Sequence, residues 1–306
     1  MPLLANGKIR LIVTGKCNLD CFYCHNEGQA KEETFLRVAS VEAVGAALGS
    51  ASTRAEELTI SGGEPFLHPQ LVQIVAAAAR FSDHVSLVSN GVLARPEQLA
   101  VLAAHGLRKL RIGVDSLDDT KPRPSPGRLA GRFVLADVVR AASAANLAVD
   151  LNVVVTRFNR DMLGQLARFA VVNGLSIKFF EHVEVAAYGA SGRVGGMVAR
   201  PHVPMDSALS LIADGVGTPM TFVPTADFGE SNLACRVDGV EIRYCRYLCG
   251  FDLCWVTGTR IDPQGYVYNC MVNRGLDRLR DLTPTGIVDS LSRATARQCR
   301  ARTRID

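Results

Sequence analysis

The sequence has no strong charge of either sign: 34 Lys and Arg against 30 Asp and Glu leave a formal net charge of +4 over 306 residues. That balance leaves no electrostatic footprint for nucleic acid or an anionic lipid surface, so neither is expected as a partner. The start, MPLLANGKIR, lacks the charged and apolar segments of a signal peptide, and no later apolar run is long enough to cross a bilayer. A cytoplasmic protein with no membrane partner is therefore expected. Low-complexity tracts are also missing, and 48% hydrophobic with 21% charged residues excludes disorder, collagen-like repeats and coiled coil as the main state. Cysteine is absent from 25 to 234, yet nine occur in all. They form two groups, Cys17, Cys21 and Cys24 at one end and Cys235, Cys245, Cys249, Cys254, Cys270 and Cys299 at the other. In a reducing compartment such groups point to metal or redox chemistry rather than to structural disulfides.

Between the two groups the sequence alternates. Short β-rich runs at 8–14 (KIRLIVT), 57–61 (ELTIS), 84–88 (HVSLV), 109–114 (KLRIGV), 148–155 (AVDLNVVV) and 175–180 (LSIKFF) are separated by Ala- and Leu-rich segments of helical period near 40–49, 69–80, 96–104, 130–145 and 161–172. Parallel βα units follow from this pattern, with ligands gathered at the carboxyl ends of the strands. A boundary is expected near 183–200, where GASGRVGG and RPHVP read as loop, giving a barrel at 1–190 and a smaller unit at 191–306. Residues 258–270 predict two short strands about the turn Asp262-Pro263-Gln264-Gly265.

Cys17-x3-Cys21-x2-Cys24 directly follows the first strand. Three thiolates are too few to close a four-cysteine cluster, so a [4Fe–4S] cluster held by them keeps one open iron. A zinc site completed by His25, or free thiols in a loop, are the alternatives that spacing alone leaves open. With Tyr23 before the third cysteine, the motif resembles that of the radical S-adenosylmethionine superfamily. Ser61-Gly62-Gly63-Glu64-Pro65 at the end of the second strand resembles the same superfamily's GGEP motif, and Ser89-Asn90, Asp115-Ser116 and Asn152 resemble its polar positions at later strand ends. The resemblance implies an α/β fold, a partial (β/α)6 TIM-type barrel, in which Tyr23, Gly62, Gly63, Glu64, Ser89, Asn90, Asp115, Ser116 and Asn152 surround S-adenosyl-L-methionine. It also implies a 5′-deoxyadenosyl radical that takes hydrogen from a substrate.

The form Cys254-x10-Gly265-x4-Cys270, with Cys245 and Cys249 just before it, resembles the auxiliary-cluster domains of that superfamily, although four close thiols also suit a structural zinc. The segments IRLIVTGKCNLDCFYC, ISGGEPFLHP, SNGVL, VDSLD, NVVVTRFN and KFFEHVEV, in this order, are similar to the GTP 3′,8-cyclase family. That likeness implies a second [4Fe–4S] cluster held by Cys249, Cys254 and Cys270, with Cys245 as a further candidate ligand. It also implies anion contacts from Arg10, which keeps the family's basic residue seven before the first cysteine, and from Lys178, which stands for an arginine. Glu181 and Arg260 are further substrate-site candidates. The departures concern phosphate: Glu57 and Thr59 stand where the family carries basic residues, Cys254 is followed by Trp255-Val256-Thr257 in place of Cys-Asn-Arg-x-Arg, and the terminal Gly-Gly is missing.

The expectation is a cyclase-like radical enzyme acting on a small nucleoside-, nucleotide- or sugar-like molecule in a biosynthetic rearrangement, cyclisation or elimination, with electrons from a flavodoxin or ferredoxin. The alternatives are an authentic GTP 3′,8-cyclase, a peptide-modifying radical enzyme and a zinc-binding interaction protein. The peptide reading is weakened because the chain starts almost at the first strand, leaving no room for a leader-binding domain. No general acid or base stands out.

Overall fold

The computed structural model describes residues 4, 7–19, 21, 23–24, 34–117, 133–182, 203–226, 229–246, 258–268, 277–279 and 282–296. Five βα units and a sixth strand run in the expected order: β1 (Lys8–Ile12), α1 (Val38–Ser50), β2 (Glu57–Ser61), α2 (Leu71–Ala79), β3 (Val85–Ser89), α3 (Pro96–Ala104), β4 (Leu107–Gly113), α4 (Leu135–Ala144), β5 (Ala148–Val155), α5 (Leu163–Val172) and β6 (Ser176–Glu181). Each strand pairs in parallel with the next. Strand alternation divides the side chains between two faces. Leu58, Ile60, Leu87, Leu110, Ile112, Leu151, Val153, Ile177 and Phe179 are fully buried in the layer shared with the helices. Each such burial contributes roughly 1.5–3 kcal/mol. The opposite face carries polar and charged residues at every second position, which is where a site can be built.

The chain beyond β6 continues the same sheet. After α6 (Met205–Val216) come β7 (Val223–Thr225), β8 (Gly229–Val237), β9 (Val240–Cys245), β10 (Thr259–Ile261), β11 (Tyr266–Tyr268), β12 (Asp277–Arg278) and α7 (Pro284–Ala296). The sheet order is β12-β11-β10-β1-β2-β3-β4-β5-β6-β9-β8-β7. Strand β9 lies parallel to β6, and β10 lies parallel to β1, so each edge of the six-stranded array gains a hairpin. The boundary expected near 183–200 lies outside the described residues, and the strands described on its far side belong to the sheet of the near side.

Local chemistry explains two of these joins. Helices α5 and α6 meet backbone to backbone at Gly164 and Gly215: a Cβ on Gly164 would stand 2.6 Å from the Leu211 carbonyl oxygen. Only glycine permits this approach. The expected hairpin turn forms at Asp262, whose Oδ1 accepts from Gln264 N at 3.0 Å and Tyr266 N at 2.9 Å, while its carbonyl accepts from Gly265 N at 2.9 Å. Such side-chain-to-backbone bonds are how aspartate sets a tight turn. No helix among the described residues is long and apolar enough to cross a membrane.

Candidate active site

The loop after β1 is fastened to the end of β2. Val13 N donates to the Ser61 carbonyl, Gly63 N to the Thr14 carbonyl and Glu64 N to the Lys16 carbonyl, each at 2.8 Å. The Gly62-Gly63 pair makes this possible. Gly62 has φ +147°, and a Cβ there would lie 2.5 Å from the Thr14 carbonyl oxygen; a Cβ on Gly63 would overlap the carbonyl of Lys16. The two glycines thus let the cysteine loop lie directly on the strand end. In that loop Leu19 N donates to Cys17 Sγ at 3.4 Å, and Cys24 N donates to the Cys21 carbonyl at 3.1 Å. Burial pushes the Cys17 thiol up to about 11, with Glu64 and Cys24 adding to the shift and the Leu19 N–H opposing it. A bound metal would reverse that balance, because a coordinating thiol is deprotonated outright.

Glu64 closes the second half of the site. It has no exposed surface; Oε1 accepts from Ser89 Oγ at 2.9 Å and Phe66 N at 3.1 Å, and Oε2 accepts from Asn90 N at 2.9 Å. Burial lifts its pKa to about 7 against these hydrogen bonds. The carboxyl therefore joins the ends of β2 and β3, with its oxygens already engaged. Asn90 carries the connection onward, donating through Nδ2 to Asn18 Oδ1 at 2.8 Å. Tyr23 reaches across to β4, its hydroxyl donating to Asp115 Oδ2 at 2.7 Å. Ser116 is buried beside it in sequence. Asn152 stands at the register position between Gly113 and Lys178, and its Oδ1 is buried with no hydrogen-bond partner among the described residues.

Thus Cys17, Cys21, Cys24, Tyr23, Gly62, Gly63, Glu64, Ser89, Asn90, Asp115, Ser116 and Asn152 all fall at the carboxyl half of β1 to β5 or in the loops that follow. Among the described residues no three His, Cys, Asp or Glu side chains are grouped to hold a single ion. Cysteines of a cuboidal cluster each bind a separate iron and need no such common point. The three-thiol donor set on a fastened loop, with an orphaned amide oxygen on β5, fits a [4Fe–4S] cluster with a polar cofactor beside it. Of the auxiliary candidates, Cys245 is buried at the end of β9; Cys249, Cys254 and Cys270 lie outside the described residues, as do His25 and Trp255.

The expected anion contacts divide between the two edges of the array. Arg10 pairs in register with Arg260 and with Thr59; Lys178 pairs with Asn152 and with Arg243. Arg260 Nη1 donates to the Gly258 carbonyl at 3.4 Å. Glu181 ends β6 in register with Val155. The middle is held by a residue that the sequence did not mark out. Arg111 on β4 donates to Glu57 Oε1 at 2.5 Å and Thr59 Oγ1 at 3.1 Å, and its Nε lies 3.7 Å from Asp150 Oδ2. Lys109 Nζ donates to both oxygens of Asp150, at 2.9 and 3.2 Å, and Lys8 Nζ lies 3.7 Å from Glu57 Oε2. Burial opposes the charge on Glu57, but Arg111, Lys8 and Lys178 outweigh it and hold the carboxyl below its ordinary value. Asn18, Lys109, Arg111 and Asp150 were missed, although charges at alternate positions of the otherwise apolar runs KLRIGV and AVDLNVVV were a signal of a polar inner face.

Residues 11–170 match the Radical SAM superfamily. Among curated relatives, the "Probable GTP 3′,8-cyclase" of Aeropyrum pernix is 32% identical over 69% of this chain, a match spanning 59% of that protein's own length. The "GTP 3′,8-cyclase" of Rhodopirellula baltica is 25% identical over 96% of this chain and 82% of its own. Among solved structures, Streptococcus suis SuiB bound to precursor peptide SuiA superposes with a TM-score of 0.67 at 11% identity, over 96% of this chain and 67% of that one. Native anSMEcpe with bound AdoMet gives 0.61 at 12%, over 92% and 80%. At these identities the two structures speak for the fold alone, a partial barrel of parallel βα units.

Proposed function

From the premise that this chain belongs to the Radical SAM superfamily, and is therefore an enzyme using a [4Fe–4S] cluster and S-adenosylmethionine, we propose that it acts on a small nucleoside-, nucleotide- or sugar-like substrate held in the barrel interior. The reaction is a biosynthetic rearrangement, cyclisation or elimination. The observation that carries this reading is the cysteine loop seated on Gly62-Gly63 at the open end of a barrel whose inner face is lined with hydrogen-bonding and charged groups. When bound, the cluster and S-adenosylmethionine supply reductive cleavage of a sulfonium and a 5′-deoxyadenosyl radical that abstracts hydrogen. Cys17, Cys21 and Cys24 hold the cluster. Asn90 and Asn18, linked side chain to side chain, and Tyr23 with Asp115 keep the loop in place. Glu64, hydrogen-bonded to Ser89 and Asn90, positions the start of the β3 loop and belongs with Gly62 and Gly63 to the proposed cofactor contacts. Asn152 offers a buried acceptor on the inner face.

A second [4Fe–4S] cluster on Cys249, Cys254 and Cys270, with Cys245 as a candidate fourth ligand, belongs to the same proposal. So does a flavodoxin or ferredoxin as electron donor. Cys245 sits two residues after Arg243 on β9, buried and close enough for its charge to act on Lys178. Iron analysis of a Cys17/Cys21/Cys24→Ala variant tests the second cluster: about four irons per chain support it, and near-zero iron removes it.

The authentic GTP 3′,8-cyclase is the second reading, favoured by the relative named so that aligns with 96% of this chain. Anaerobically reconstituted enzyme with S-adenosylmethionine, a reductant and GTP deuterated on the ribose separates the two. Deuterium in 5′-deoxyadenosine with a cyclised purine product establishes GTP as substrate. Slow, unlabelled 5′-deoxyadenosine with intact GTP supports a different small molecule, and no 5′-deoxyadenosine at all overturns both.

A further inference from the structure

The cysteine loop is tied at both of its roots, and the two ties differ in kind. It leaves β1 at Thr14 and returns at Phe35, which pairs with Thr14 in an antiparallel bridge, while Leu36 N donates to the Val13 carbonyl at 2.8 Å. The outgoing limb is seated by main-chain bonds from Gly63 and Glu64. The returning limb is held by a side chain that has no part in the site as described so far. His68 is buried, and its Nε2 lies 2.9 Å from the Leu36 carbonyl oxygen. Its other ring nitrogen, Nδ1, accepts from Gln70 N at 3.0 Å. A main-chain N–H can only donate, so Nδ1 carries no proton and Nε2–H donates to Leu36. Burial pushes the imidazole below its ordinary value, against the bond to Leu36, and so favours this neutral form. The Phe35 ring meets the imidazole edge-on, with centroids 5.3 Å apart and planes at 89°.

Glu64 and His68 stand at the two ends of one short turn. Pro65–Leu67 form a single 3₁₀ turn in which Leu67 N donates to the Glu64 carbonyl at 3.0 Å and His68 N to the Pro65 carbonyl at 2.9 Å. Glu64 fastens one end of it to β3 through Ser89 and Asn90, and His68 fastens the other to the return of the loop. The turn therefore relates Gly62-Gly63 to both limbs of the loop that carries Cys17, Cys21 and Cys24.

We propose that His68 is a positioning residue for cofactor cleavage: through Nε2–H it holds the returning limb of the cysteine loop on the turn that follows Glu64, and so sets where the cluster stands relative to S-adenosylmethionine. Both ring nitrogens are engaged by main chain, so the residue acts through the loop. The proposal rests on the reading that Gly62, Gly63 and Glu64 contact the cofactor. Its leverage is that of alignment, since a misplacement of about 1 Å between positioned reactants costs on the order of 10²-fold in rate.

The test compares two variants that divide the bonds of the imidazole. His68→Gln places an amide N–H near Nε2 and keeps a donor for Leu36, whereas His68→Asn keeps an acceptor near Nδ1 for Gln70 N and is too short to reach Leu36. The reconstituted holoenzymes are measured for iron content, equilibrium binding of S-adenosylmethionine and substrate-independent 5′-deoxyadenosine. His68→Asn is expected to keep its iron within about twofold of the unaltered enzyme while cofactor affinity and cleavage rate each fall at least about tenfold. His68→Gln is expected to stay within about threefold in both. A purely structural role would move the two variants together. Equal losses in both variants overturn the proposal, as does loss of iron from both or a His68→Asn enzyme that matches the unaltered one. Absence of 5′-deoxyadenosine from the unaltered enzyme counts against the proposed function, whereas the cofactor affinities of the two variants decide the present inference separately.

Discussion

The carboxyl end of the barrel and its inner layer are built from different interactions. At the end, neutral and charged groups are joined by short hydrogen bonds between strand-end loops: Glu64 with Ser89 and Asn90, Asn90 with Asn18, Tyr23 with Asp115. In the layer below, full charges pair across strands, Glu57 on β2 with Arg111 on β4, and Asp150 on β5 with Lys109 and Arg111 on β4. The first arrangement fixes a backbone path, because its acceptors are satisfied by main-chain N–H groups and loop side chains. The second fixes a charge pattern. On the proposed function, cofactor cleavage depends on the path and substrate choice on the pattern, so substitutions should separate the two.

The largest expected effect lies at the end. Cys17→Ala, Cys21→Ala or Cys24→Ala should abolish 5′-deoxyadenosine formation, measured by chromatography of anaerobic assays; full cleavage in any of them would dissolve the distinction drawn above. Arg111→Ala should leave Glu57 and Asp150 with fewer partners in a poorly hydrated layer and cost about 3 kcal/mol of folding stability, read from denaturant unfolding. Substrate-independent cofactor cleavage should survive in the fraction that folds. Gly63→Ala forces the cysteine loop off the Lys16 carbonyl, and a destabilisation of about 2 kcal/mol with lower iron content after reconstitution is expected. A stable, fully loaded Gly63→Ala protein would show that the loop does not need its seat.

Two smaller effects sharpen the contrast. Glu57, held below its ordinary carboxylate value by Arg111 against burial, contributes stability above that value and loses it as pH falls through the lowered folded-state value. Unfolding midpoints of Glu57→Gln should therefore depend less on pH across the acid range than those of the unaltered protein. Glu64 behaves with the opposite sign. Its raised value, about 7, means that its ionisation weakens the fold as pH climbs from the ordinary carboxylate range towards 7. Tyr23→Phe should cost about 1 kcal/mol, visible as a modest drop in thermal midpoint with the cluster retained.

The strand-end residues were legible in the sequence because each lies within a few positions of a strand's last residue, so local motifs such as Cys17-x3-Cys21-x2-Cys24 and Ser61-Gly62-Gly63-Glu64 carry them whole. The partners of Glu64 were not legible in the same way. Its motif carries the residue itself, but the hydrogen bonds to Ser89 and Asn90 are made 25 and 26 positions away on β3 and its loop. Arg111 was invisible for a related reason: its partners are 52 and 54 positions away on β2 and a further strand on β5, and an ion pair between distant strands leaves no spacing to read. Glu57 read alone suggested a reversal of charge; with Arg111 beside it the position is nearly neutral.

The hairpins show the same division at the scale of the fold. Asp262 and Gly265 determined the turn between β10 and β11 by themselves, since an aspartate side chain can accept from the N–H groups that follow it. Where that hairpin goes was decided only by the folded barrel, whose open edge at β1 offers unpaired backbone groups that β10 satisfies, as β9 does at β6. Sequence alone thus determined the alternation of strands and helices, the cysteine loop and the turns, because these depend on residues close together in the chain. The tertiary structure decided which charges cancel, because electrostatic pairing depends on distance in space and is indifferent to distance along the chain.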